Sequence, residues 1–71
     1  MTLNDHIICA HFYRRRAIGR IKQIITLRRD SYEHGGIGWM RNEAIFQYIR
    51  TIDDFRAAQI HKEAALEGGQ P

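Results

Sequence analysis

The stretch that decides the fold is residues 3–29, LNDHIICAHFYRRRAIGRIKQIITLRR. Its apolar positions are Leu3, Ile7, Ala10, Ala17, Ile18, Ile21, Ile24 and Ile25. Their intervals of three, four and seven keep one face apolar at the helical period of 3.6. His11, Arg15, Lys22 and Arg29 fall on the opposite face. The β-branched run at Ile7-Ile8 would suit a strand, but the helical spacing continues through Ile25, so the segment reads as one long helix. Three features disturb it: Arg14 lies on the apolar stripe, Ile8 and Phe12 lie on or near the polar one, and Gly19 sits on the outer face. A glycine there costs up to about 1 kcal/mol of helix propensity relative to alanine.

Working outward, Thr2 suits an N-cap, and Asp5 stands where a capping-box side chain reaches back. Tyr32 continues the face of Ile21, Ile25 and Arg28, and Gly35-Gly36 supplies a left-handed stop. Asp30-Ser31 is a competing stop, so the boundary falls within residues 29–34. The spacing predicts a helix over about 3–33, a turn at 35–38 and a second helix over about 39–66. Ile45, Tyr48, Ile49, Ile52, Phe55 and Leu66 form the expected inner face of the second helix. Glu43, Gln47, Arg50, Asp54 and His61 are expected outside, and Phe46, Ala57, Ile60 and Ala64 make a second apolar strip. Residues 68–71 read as a frayed tail behind a single domain over 1–67.

Two long helices and a short turn make an antiparallel helical hairpin, an all-α fold. Folding the chain at residue 36 sets Ile21 against Ile52, Ile18 against Phe55, Ile24 against Ile49 and Arg14 against Gln59. The last pair reads as one polar layer that fixes register. A lone hairpin leaves the strip of Phe46 and Ile60 wet, together with Ile8 and Phe12. Two hairpins packed as a four-helix bundle would cover them.

Composition supports that association. A chain of 71 residues has room for one core, and cores at this length rarely supply more than about 3–5 kcal/mol unaided. Cys9 is the single cysteine, so no intrachain disulfide can help. No His and Cys cluster has zinc spacing, and neither metal nor cofactor is expected. No signal peptide is apparent and no apolar run spans a bilayer, so the expected compartment is the cytoplasm. The net charge of +3 is uneven: residues 1–34 hold seven Arg and Lys against three acids, residues 35–71 four against five. The basic character belongs to the first helix.

Arg15, Lys22 and Arg29 recur every seven residues, thickened by Arg16, and set cations roughly 10 Å apart along a helix. Such a stripe can track phosphates of DNA or RNA, or simply keep a face in solution. Trp39, Tyr32 and Phe46 near the turn, with Phe12 far down the first helix, are of the types that anchor protein interfaces or plug a bundle end. Gly35-Gly36-Ile37-Gly38 lacks the Lys-Ser/Thr of a phosphate loop and reads as a turn. His6 and His61 approach across the hairpin ends without a third ligand. Cys9 has no histidine on its face to activate it, and Asp53 and Asp54 point apart, so no catalytic site is expected. In build the chain resembles the short hairpin dimers carried by plasmids and phages, a resemblance of outline that implies a regulatory binder. The expectation is a non-enzymatic homodimer that binds and modulates a protein partner through Trp39, Tyr32, Phe46 and Phe12. The alternative is a nucleic-acid binder that uses Arg15, Lys22, Arg29 and Arg16.

Overall fold

The computed structural model describes residues 1–36 and 38–68. Helix α1 spans Leu3–Glu33 and helix α2 spans Gly38–Leu66. They pack along their whole length as a hairpin of 51 × 13 × 13 Å. Ile37, in the expected turn, and residues 69–71 of the expected tail lie outside the described residues. Among the described residues no helix is long and apolar enough to cross a membrane.

Local chemistry sets the ends of α1. Thr2 Oγ1 accepts from the Asp5 amide at 3.1 Å, and the Asp5 carboxylate accepts from the Thr2 amide at 3.0 Å, a complete capping box. The Thr2 amide, seconded by its hydroxyl, holds the Asp5 carboxyl below its ordinary value. At the other end the Gly36 amide donates to Ser31 O and the Gly35 amide to Tyr32 O. Both glycines have φ of +80°, so the helix closes in a Schellman motif. The competing stop at Asp30-Ser31 is not used.

The seam between the helices differs from the expected one. From α1 it takes His6, Ala10, Tyr13, Ala17, Arg20, Ile24, Leu27 and Ser31; from α2 it takes Met40, Ala44, Gln47, Thr51, Asp54, Ala58, His61 and Ala65. Both sets alternate intervals of four and three, the pattern of an antiparallel coiled coil. Its most buried members are Ala17, Ser31, Ala44, Thr51 and Asp54, small or polar throughout. Gln47, Asp54 and His61, expected outside, are therefore inside. Conversely, Ile21 and Ile52 are 38% and 36% exposed, and Ile18, Ile49 and Phe55 are exposed as well, so the expected pairs do not form the core.

Directional chemistry accounts for the change. Arg20 Nε donates to Asp54 at 2.8 Å and its Nη1 to Gln47 at 2.7 Å; Gln47 in turn donates to Glu43 at 2.9 Å. The Arg20 and Asp54 side chains keep only 15% and 10% of their surface. A cation and a carboxylate are buried only when they meet, and this pairing holds at a single rotation of each helix. The alanines of the same stripe let the backbones approach. Ile18, Ile21, Ile25, Ile45 and Ile52, which any apolar neighbour can satisfy, turn to the adjacent face while Ile24 stays in the seam.

Candidate functional site

Trp39, Phe46 and Ile60 recur along an outer stripe of α2 at sevenfold spacing, interrupted by Asp53. They are 63%, 47% and 64% exposed. The Arg50 guanidinium lies 4.7 Å from the centre of the Phe46 ring, so this stripe joins aromatic surface to positive charge. Trp39 and Phe46 thus share one surface. Tyr32 does not: it lies at the hairpin tip in a hollow with Arg28, Ser31, Gly36 and Arg41. Phe12 lies towards the opposite end, edge-on to Tyr13 at 5.3 Å, beside a hollow formed with Ile8, His11, Arg15 and Arg16. The four aromatic residues therefore do not form one patch.

The basic residues divide in the same way. Arg15, Lys22 and Arg29 are exposed along the outer edge of α1, facing away from α2. Arg29 pairs with its neighbour Asp30 at 3.7 Å. Arg16 turns inward and reaches Asp54 at 3.7 Å, which ties it to the seam network. At the open end of the hairpin, His6 Nδ1 and His61 Nδ1 meet at 2.9 Å, and Tyr13 stacks on His61 at 5.9 Å. Cys9 is half-buried nearby in sequence. Among the described residues no three of His, Cys, Asp and Glu gather around a point where a metal would sit.

The isoleucine stripes expected in the seam form instead a face beside it. Ile7, Arg14, Ile18, Ile21, Ile25 and Arg28 of α1 lie next to Arg41, Ile45, Tyr48, Ile52, Phe55, Gln59, Lys62 and Leu66 of α2. Both ends of this face form shallow grooves between the helices. Leu3, Ile7 and Arg14 line one with Phe55, Gln59 and Leu66; Ile24 and Arg28 line the other with Arg41, Ile45 and Tyr48. Arg14 and Gln59, expected as one polar layer, do share a groove. The seam actually used was present in the sequence as a second four-three stripe, small and polar, next to the apolar one on each helix. A hairpin seam needs only one stripe, so a pair of adjacent stripes marks a helix with two packing partners.

No protein-family model, curated protein or solved structure matches this chain.

Proposed function

We propose that the chain is a small, non-enzymatic, cytoplasmic homodimer that binds a partner protein and modulates it. The observation that carries this reading is the exposed Trp39–Phe46–Ile60 stripe, with Arg50 stacked on Phe46. Trp and Arg dominate the residues whose truncation destroys protein interfaces. A small protein that leaves such a stripe in water has a use for it. A second reading, contact with DNA or RNA, is favoured by Arg15, Lys22 and Arg29, which line the free edge of α1.

The two readings are separated by comparing Trp39→Ala with the triple change of Arg15, Lys22 and Arg29 to Gln. Both sets of side chains project away from the seam, so circular dichroism should show both variants folded. Retention of a nuclease-resistant partner from lysate of the source cells is measured for each. Trp39→Ala should weaken it by about 2 kcal/mol or more, as at a central hot spot, while the triple variant should hold. The opposite ranking, with DNA or RNA retarded in a gel by the unaltered chain, would select the nucleic-acid reading.

A further inference from the structure

We infer that the apolar face beside the seam is the surface on which a second copy of this chain docks, with both hairpin tips at the same end. This rests on the homodimer proposed above and assigns its interface and orientation. The first argument is area. A compact 8.3 kDa monomer exposes about 4,600 Å² by the scaling of surface with mass. This hairpin exposes 5469 Å², an excess of roughly 900 Å², and a stable interface buries about 800 Å² per partner. The excess matches what one copy must cover.

The second argument is the missing core. Among the described residues no large side chain is fully buried. Ile7, Ile18, Ile21, Ile52, Phe55 and Leu66, which a core would use, share the open face instead. A hairpin whose most buried residues are small or polar, with Arg16 and Arg20 paired to one Asp54, needs that face covered whenever it is folded, and a second copy is the partner that every folding chain has at hand.

The orientation follows from Arg14. With both tips at one end, α1 lies across from α2 of the other copy, level for level. Arg14 then meets the layer of Gln59, whose side-chain oxygen can accept from it, and the isoleucines meet Ile45, Ile52 and Tyr48. With tips at opposite ends, α1 lies along its own copy and Arg14 is pressed among isoleucines near Ile21. That arrangement leaves the covered cation only the Gln59 oxygen of its own groove, whereas the same-end dimer adds the Gln59 of the second copy. It also aligns the two basic helices with each other, whereas the same-end dimer sets them on the diagonal.

Sedimentation, mutation and a distance measurement test this together. Ile52→Arg should weaken dimerisation at least a hundredfold, while Phe46→Arg, on the outer stripe, should leave the dimer intact. In the unaltered chain, a soluble paramagnetic agent should broaden the methyl signals of Ile60 and spare those of Ile21 and Ile52, a readout that survives if Ile52→Arg does not fold. Spin labels on Glu33→Cys in a Cys9→Ser background should lie about 10–20 Å apart, one or two helix spacings. A separation near the 51 Å molecular length would overturn the orientation. A dimer that survives Ile52→Arg and is lost with Phe46→Arg would overturn the face while leaving the homodimer standing. A folded monomer at micromolar concentration would overturn the homodimer itself.

Discussion

Gly19 is a residue whose cost can be read directly. It lies inside α1 with negative φ, and a methyl group added there meets no atom within 4 Å. Gly19→Ala should therefore stabilise the protein by about 0.5–1 kcal/mol, partly by restricting the unfolded chain. Chemical denaturation would check it, and an unchanged or lowered midpoint would show that position 19 is covered by something in solution. Residue-scale features of this kind were legible in the sequence. The Thr2–Asp5 box and the Gly35–Gly36 stop depend only on neighbours within five positions, so a linear reading contains all that their geometry requires.

At the scale of the helices, the network of Arg20, Gln47 and Asp54 selects which stripe faces inward. Asp54→Ala strips Arg20 of its carboxylate partner while leaving it mostly buried. Removing one member of a buried pair costs about 3–5 kcal/mol, enough to unfold a chain of this size. Replacing Arg20, Gln47 and Asp54 together by Leu removes the uncompensated charge and should give a folded protein at least as stable as the original. With the His6–His61 contact at the open end left as a polar side-chain bond bridging the described seam residues, that variant should populate a second helix rotation, in which Ile21 and Ile52 turn inward. Two sets of amide resonances would reveal it, and a single native-like set would show that the alanines and the His6–His61 contact suffice to fix the rotation. The sequence reading ranked stripes by hydrophobicity and so put the isoleucines in the seam. It missed that a charged pair separated by 34 positions outranks them, because apolar contacts tolerate many arrangements and an ion pair tolerates few.

The whole molecule is a rod with a polar interior and an apolar side. Its radius of gyration is 15.8 Å, against about 11 Å for a compact domain of this length. In the dimer proposed above, stability borrowed from the second copy makes unfolding depend on concentration. Raising the protein from about 1 to about 100 µM should lift the melting temperature by several degrees, as mass action requires for a state that only associates when folded. A melting temperature constant over that range would show that the hairpin stands alone, and the open face would then belong to another partner.

The sequence by itself determined that the chain makes two long helices that fold back on one another, with the end of the first left within residues 29–34. Those outcomes rest on periodicity, caps and a glycine pair, all of them short-range. It also carried the aromatic and basic residues, and a spacing of seven already placed Arg15 with Lys22 and Arg29. Only the tertiary structure decided the rotation of each helix about its axis, and with it which residues are core and which are surface. Each helix bears two adjacent stripes that satisfy the same period, so periodicity cannot choose between them. The choice was made where Arg20 of one helix found Asp54 and Gln47 of the other. That contact draws the small and polar stripe inward and leaves the isoleucines on the face where we place the second copy.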